Sequence, residues 1–253
     1  MARFFLSRAS MRLEEGLIPI VGDDAHHIAY SLRMAVGDPI TVCDMQKTEY
    51  LCTILSVKPD EVLLSVNDTR ENDTELPIKI HLYQSLPKGD KMEYIIQKAV
   101  ELGAASVTPV TSARCIVKLD EKSAEKKIAR WQKIAEEAAK QCGRGYIPEV
   151  RAPISFPCAI EAGQKTDLPL FCYEGDDTVS LKTVLGHTMD RLLSLDHLPE
   201  AAVYIGPEGG YDRAEVDKAA SAGMTAINLG KRILRCETAS GFVLAAMTYA
   251  FEL

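Results

Sequence analysis

The sequence predicts an α/β protein of two domains, in which a small β-barrel precedes a mostly parallel sheet covered by helices. Three observations support this prediction. Short alternating apolar runs come first, a polar stretch follows near residue 70, and after it apolar strands alternate with segments of helical periodicity. At 253 residues the chain is long enough for two domains, since a domain typically has about 100–200 residues. Its 47% hydrophobic and 26% charged residues are typical of a globular protein.

The first domain is predicted from three short runs with strand character. These runs, Ile40–Cys43, Leu51–Val57 and Val62–Val66, are separated by turn-forming Gly, Pro and Asp residues. One short helix, from about Asp23 to Met34, interrupts them. The segment Asn67–Glu75 contains no apolar residue, so we predict that it is a linker.

The second domain is predicted from apolar strands that alternate with helical segments, the pattern of a mostly parallel sheet. We place the first domain at residues 1–70 and the second at residues 77–253. One helix is expected to begin at a capping Asp90, with Glu93 three residues later, and to end at Gly103. A second helix is expected over Ser123–Cys142. The predicted strands are Ile78–Tyr83, Ser106–Val110, Leu168–Tyr173, Ala201–Ile205 and Met224–Asn228.

Several classes of protein are excluded by composition. No apolar run approaches the ~18 residues of a membrane span, and the block Phe4–Leu6 is too short for a signal peptide, so a cytoplasmic location is expected. Seven cysteines without a Cys-x-x-Cys pair predict free thiols. The histidines form no ligand cluster, and we expect no metal. Although the net charge is −7, residues 79–151 carry +5, and a local basic surface is sufficient for phosphate contacts.

Two glycine-containing segments follow the last two predicted strands. They are Ile205–Gly210 (IGPEGG) and Leu229–Ser240 (LGKRILRCETAS). Because the carboxyl ends of parallel strands meet at one edge of the sheet, both segments are expected at a ligand-binding edge. Glycine lets the main chain approach a ligand closely. Neither a Walker lysine nor a Gly-x-Gly-x-x-Gly fingerprint is present, which argues against a nucleotide phosphate as the ligand.

These two segments resemble the last two motifs of the SPOUT methyltransferases and, among them, of the RsmE family, which methylates N3 of a uridine in small-subunit (16S) ribosomal RNA. The resemblance extends over nearly the whole chain. It implies a SPOUT α/β knot, a mostly parallel sheet tied as a trefoil, behind an N-terminal PUA-like β-barrel. It also implies a homodimer with the helix after Glu237 at the contact. The other matching stretches are Arg3–Phe5, His26–Asp44, Gln84–Lys91, Gln97–Gly103, Arg114 and Arg130–Arg144.

The resemblance further implies S-adenosylmethionine as the cofactor. Its adenine would be buried among main-chain groups, with Leu229, Ile233 and Leu234 as apolar walls. The residues expected to bind it are Tyr173, Ile205, Gly206, Pro207, Glu208, Gly209, Gly210, Asn228, Leu229, Gly230, Ile233, Leu234, Thr238 and Ala239.

Uridine N3 carries a proton that must leave before the nitrogen can attack a methyl group. An arginine would stabilise the resulting imide anion, and Arg235 is the first candidate and Arg114 the second. Glu208 and Glu237 are candidates for the acid/base role, although a glutamate beside a helix start commonly caps the helix. Where the family often has an acidic residue before Arg114 this chain has Ala113, which leaves the orientation of Arg114 less fixed. Cys236 is expected to contribute to packing and not to act as a nucleophile.

The expected partner is 16S ribosomal RNA or the small ribosomal subunit, contacted through phosphates. Two alternatives remain open. A non-catalytic RNA-binding or ribosome-assembly protein would be expected to have a degraded cofactor loop, whereas both segments stand intact. A ribose 2′-O-methyltransferase of the same fold usually has Asn-x-Gly…Arg after its first strand, where this chain has Leu86-Pro-Lys-Gly-Asp. The predicted RNA contacts are Arg3, Arg8, Arg12, Arg33, Lys88 and Arg144.

Overall fold

The computed structural model describes residues 2–117 and 119–253 and divides into two compact units. The first comprises Met1–Glu75 and Ala139–Ile147, and the second comprises Leu76–Ala138 and Pro148–Leu253. Each unit is therefore assembled from two stretches of the sequence. Among the described residues, no helix has the length and apolar character needed to cross a bilayer.

The first unit is built on a five-stranded sheet in the order β1-β3-β4-β5-β2. All pairs are antiparallel except β1 with β3. The β4–β5 ladder contains two register shifts, which bend and twist the sheet into a partial barrel around a closed apolar core. The strands are β1 (Ala2–Phe5), β2 (Leu17–Val21), β3 (Pro39–Cys43), β4 (Thr48–Val57) and β5 (Glu61–Glu71).

Two expectations for the first unit were wrong. The polar segment Asn67–Glu75 is not wholly a linker, because β5 continues to Glu71 and its residues 68–71 pair with β4. Exposed strand residues need not be apolar, so composition alone did not reveal this extension. The helix predicted from Asp23 to Met34 is shorter: α1 (Asp23–His26) passes into one π-helical turn, His27–Ser31.

The second unit is built on an eight-stranded parallel sheet. Its main path has the order β11-β13-β10-β12-β6-β7-β8, and β9 pairs with β7. Strand β13 thus lies between β10 and β11, two strands that precede it in the chain. This is the order expected when the C-terminal segment passes through an earlier loop. The strands are β6 (Lys79–Ser85), β7 (Ala104–Thr111), β8 (Glu149–Val150), β9 (Ile154–Ser155), β10 (Leu168–Cys172), β11 (Val179–Ser180), β12 (Glu200–Ile205) and β13 (Thr225–Asn228).

The helices of the second unit connect these strands. They are α2 (Lys91–Glu101), α3 (Glu121–Cys142, whose last turn belongs to the first unit), α4 (Phe156–Gly163), α5 (Leu181–Leu193), α6 (Arg213–Ser221) and α7 (Cys236–Glu252). Gly103 terminates α2 as predicted, two residues after Glu101, with φ +82°. The predicted capping box at its start was wrong: Asp90 makes no side-chain cap, and Glu93 instead pairs with Arg130 at 2.8 Å.

Candidate active site

A cavity of about 940 Å³ opens in the second unit at the carboxyl ends of β10, β12 and β13. Three loops surround it, because these parallel strands end at the same edge of the sheet. A hydrogen bond of 2.9 Å from the N–H of Tyr173 to the carbonyl of Ile227 joins two of the loops where they leave the sheet. The loops are residues 172–175, 205–211 and 227–236, and Lys91, Arg114, Arg213 and Ala239 complete the lining.

Two glycines shape the cavity for different reasons. Gly230 has φ +104°, a conformation that residues with a Cβ rarely adopt. At Gly206 a Cβ would lie 3.2 Å from the ring of buried Tyr211, so the main chain passes closer to that ring than a larger residue would allow. Both glycines are part of the cavity lining, one in the loop after β12 and one in the loop after β13.

The expected cofactor-binding residues converge on this cavity. All of those named above line it except Thr238, which is exposed on α7 and is not part of the lining. Ile233 lines the cavity but is 82% exposed to solvent. It therefore does not form the enclosed apolar wall that we expected. Leu229 and Leu234 are half-buried.

The three predicted catalytic residues, Arg235, Arg114 and Glu208, also line the cavity. Arg235 occupies the N-cap position of α7, where its carbonyl accepts hydrogen bonds from the N–H groups of Thr238 (2.9 Å) and Ala239 (2.8 Å). Its side chain makes no cap. Arg114 donates from Nη1 to the carbonyl of Gly209 at 2.8 Å. Both arginines therefore line the cavity, and the guanidinium of Arg114 is bound to the loop after β12.

Lys91, which was not among the predicted site residues, connects the two candidate carboxylates. Its Nζ lies 2.9 Å from Oε1 of Glu208 and 3.4 Å from Oε2 of Glu237. Oε1 of Glu208 also accepts the main-chain N–H of Lys88 at 3.1 Å. Lys91 and Glu208 are 117 residues apart, so only folding brings them together. The one signal in the sequence was that Lys91 closes the Gln84–Lys91 motif.

These contacts set the charge states at the rim. Burial alone would raise the pKa of Glu208, but the hydrogen bonds from Lys91 and Lys88 outweigh it and lower that pKa below its ordinary 4.5. The pKa of Glu237 is likewise lowered, because main-chain, Cys236 and Lys91 contacts outweigh burial. The hydrogen bond to Glu208 raises the pKa of Lys91 above 10.5. At neutral pH the rim therefore holds two carboxylates and one ammonium group.

Cys236 follows Arg235 and is buried at the start of α7. Burial, together with the hydrogen bond to Glu237, raises the pKa of its thiol to about 12. A thiol that is protonated at neutral pH is a poor nucleophile. This agrees with the packing role predicted for it.

The predicted RNA contacts fall into two groups. Arg8, Arg12, Arg33 and Lys88 are exposed. Arg144, in contrast, is only 3% exposed, and its guanidinium pairs with Glu75 within the first unit.

The side chain of Arg3 is also largely buried. Its guanidinium pairs with Glu49 and donates to Sγ of Cys43 at 2.8 Å. Buried, paired guanidinium groups are held by their carboxylates instead of facing solvent. Both guanidinium groups are thus bound within the first unit, and the RNA contacts of all six residues stay a prediction.

Comparison with known proteins agrees with this geometry. Residues 74–248 match the model of the RNA methyltransferase domain, and residues 20–67 match that of the RNA methyltransferase PUA domain. The ribosomal RNA small subunit methyltransferase E of Bacillus subtilis (strain 168) is 38% identical over 100% of this chain and 98% of its own length. The protein of the same name from Synechocystis sp. is 32% identical, over 96% of this chain and 77% of its own length.

A solved structure extends the comparison to the cofactor. The crystal structure of a ribosomal RNA small subunit methyltransferase E from Neisseria gonorrhoeae, bound to S-adenosyl methionine, superposes with a TM-score of 0.81. It is 31% identical and covers 99% of this chain and 98% of its own. With a family model over most of its length and a full-length relative above 30% identity, the chain belongs to the RNA methyltransferase family that includes these ribosomal RNA small subunit methyltransferase E proteins.

Proposed function

We propose that this protein transfers the methyl group of S-adenosylmethionine to N3 of a uridine in 16S ribosomal RNA of the small subunit. The observation that carries the proposal is the cavity at the carboxyl edge of the sheet, formed by the residues that the family resemblance implies for the cofactor. Its volume of about 940 Å³ lies within the range of small-molecule sites. The related Neisseria gonorrhoeae enzyme was crystallised with S-adenosyl methionine.

The rim of the cavity supports chemistry on an acidic N–H. In the transfer, N3 loses its proton, a bond forms between N3 and the methyl carbon, and the bond from that carbon to sulfur breaks. The guanidinium of Arg235 stabilises the imide anion electrostatically, and Arg114 is the second group able to do so. The proton passes to Glu208, Glu237 or water. Because the pKa of both glutamates is lowered, each is a weak base, so the arginine contribution matters more than the base.

The direct test is mass spectrometry of ribosomal RNA from a strain that lacks this protein. We expect 16S RNA without N3-methyluridine, restored when the purified protein and S-adenosylmethionine are added to small subunits from that strain. Deletion RNA that keeps N3-methyluridine but lacks a 2′-O-methyl group would overturn the N3 assignment. Unchanged RNA would overturn the enzymatic proposal altogether. Since its substrate would be ribosomal, we further propose a cytoplasmic location.

We also propose that the protein acts as a homodimer through the outer face of α7. One face of this helix packs Val243, Leu244 and Met247 into the core. The opposite face exposes apolar side chains at helical spacing, with Phe242 44% and Tyr249 71% exposed. Phe242 and Tyr249 are seven positions apart, which places both on one stripe of the helix, and exposed apolar side chains grouped in this way are found at protein interfaces.

Introducing charge into this stripe tests the dimer. We expect Tyr249→Asp to convert a dimeric mass in light scattering to a monomeric one, because a carboxylate in an apolar interface loses its solvation. Val21→Asp, a change of the same kind at a position 61% exposed in the first unit, should leave the mass unchanged. A wild-type protein that is monomeric at micromolar concentration would contradict the proposal.

Removing the Lys91 charge should weaken cofactor binding. Without this ammonium group the carboxylates of Glu208 and Glu237 repel each other. The loop after β12 also loses the ion pair that joins it to α2. We expect Lys91→Met to lower affinity for S-adenosylmethionine in calorimetry by about tenfold, or ~1.4 kcal/mol. Lys91→Arg, which keeps the charge, should remain within about threefold of wild type.

The pKa directions predict how this effect depends on pH. Both carboxylates have a lowered pKa in the folded protein, so their attraction to Lys91 is complete above an ordinary carboxyl pKa of about 4.5 and is lost as pH falls through the lower folded values. The difference between Lys91→Met and wild type should therefore be constant from about pH 6 to 8. A difference that disappears within that interval would contradict the ion-pair explanation.

A further inference from the structure

The turn that carries Arg114 is connected to the start of α6 by a buried carboxylate, that of Glu215. Glu215 lies in the first turn of α6 and is 8% exposed. Its Oε2 accepts the N–H of Asp212 at 3.1 Å, and Asp212 Oδ1 accepts the N–H of Glu215 at 2.8 Å. These two bonds form a complete capping box.

The other oxygen of Glu215 has a second task. Oε1 accepts the main-chain N–H of Ala113 at 2.8 Å, a contact between residues 102 positions apart. A capping box does not require this bond. The turn itself is closed by a hydrogen bond of 3.0 Å from the N–H of Cys115 to the carbonyl of Ser112. Glu215 thus anchors a preformed turn at the residue that precedes Arg114.

From this anchored turn, Arg114 reaches the loop after β12. Its Nη1 donates to the carbonyl of Gly209 at 2.8 Å, and a Cβ built on Gly209 would lie 3.4 Å from Cβ of Arg114. The bonds therefore form a chain from the start of α6, through the turn, to the rim of the cavity. Because residue 113 is alanine, no side chain at that position can orient Arg114, and the anchor acts on the main chain instead.

We propose that Glu215 is a positioning residue for methyl transfer, holding the turn at Ala113 so that the guanidinium of Arg114 stays at the cavity rim. This inference rests on the proposed function, because Glu215 acts on the reaction only through Arg114. It also assigns separate tasks to the two oxygens of one carboxylate. Loss of the Ala113 bond should slow transfer, whereas loss of the cap alone should not.

A double-mutant cycle tests the coupling. Single-turnover transfer from labelled S-adenosylmethionine to small subunits is measured at saturating concentrations, for Glu215→Ala, Arg114→Ala and the double variant. We expect each single variant to be at least tenfold slower than wild type. The double variant should be no more than twofold slower than Arg114→Ala. Once the Arg114 guanidinium is absent, removing Glu215 has nothing left to misposition. Reductions that multiply, or an Arg114→Ala variant as fast as wild type, would overturn the proposal.

Asp212→Ala is the matched control, because it removes the carboxylate that accepts the N–H of Glu215 in the same capping box and leaves the Ala113 bond in place. Its rate should stay within twofold of wild type, and a loss equal to that of Glu215→Ala would show a merely structural effect. If Glu215→Ala does not fold, Glu215→Asp keeps the charge but has a shorter reach, and its coupling to Arg114→Ala is measured in the same way. A wild-type protein without transfer would overturn the proposed function, whereas an active wild type with uncoupled variants overturns only the role of Glu215.

Discussion

Replacing Arg235 by alanine is expected to slow methyl transfer by about two to three orders of magnitude, while affinity for S-adenosylmethionine stays within about tenfold, or ~1.4 kcal/mol. The structure makes this change a clean one. The cap contacts of Arg235 come from its carbonyl, which alanine retains, and its side chain makes no capping bond. Removing one group that stabilises an anion typically costs about 10²–10³ in rate, measured here as single-turnover transfer.

The pH dependence distinguishes electrostatic stabilisation from a structural effect. If Arg235 stabilises the imide anion, then the rate of Arg235→Ala should rise more steeply with pH than the wild-type rate, because alkali deprotonates N3 without help. Arg235→Lys should retain part of the activity, since it keeps the charge but loses the planar guanidinium. Undiminished turnover in Arg235→Ala would remove this residue from the catalytic role and leave Arg114 as the candidate.

Replacing Gly230 by leucine is expected to abolish the heat of S-adenosylmethionine binding. The cause is the backbone, because a Cβ at this position would meet no atom within 4 Å, whereas φ is +104°. Holding a residue with a side chain in such a conformation costs about 1–3 kcal/mol, so the loop is expected to relax and displace Leu229 and Leu234 from the cavity.

Gly223→Leu provides the matched control for this backbone effect. Gly223 has φ +75°, and a Cβ added there would also meet no atom within 4 Å. It lies just before β13 and is not part of the cavity lining. It should lower the thermal stability by a comparable amount and leave the affinity within about twofold. If Gly230→Leu binds with unchanged heat, the cofactor site lies elsewhere.

Local pattern was a good guide to the interior of the long elements and a poor guide to their ends. The five strands predicted for the second unit all exist, because a run of apolar residues can be buried in a parallel sheet wherever the rest of the chain goes. The two-residue strands β8, β9 and β11 were missed, since two residues have no detectable period. The end of β5 was missed because its last residues are polar and exposed.

The two Asp-x-x-Glu sequences show why helix capping could not be predicted from pattern alone. Asp90 and Glu93 match a capping box, as do Asp212 and Glu215, yet only the second pair forms one. Asp90 has φ −93° and ψ 10°, whereas Asp212 has the extended conformation, φ −82° and ψ 170°, that a cap requires. The carboxylate of Glu93 is meanwhile bound by Arg130.

The position of the two glycine loops that line the cavity could be predicted from sequence pattern, because segments directly after buried parallel strands meet at one edge of the sheet. The candidates Arg235, Arg114 and Glu208 could also be named, because they lie close to those strands or within the matching motifs. The polar contacts between distant residues became visible only in the folded chain: Lys91 with Glu208 and Glu237, and Glu215 with the main chain of Ala113. The physical reason is that hydrophobic periodicity records which side of an element is buried, whereas a polar contact between distant residues depends on how all the buried sides pack together.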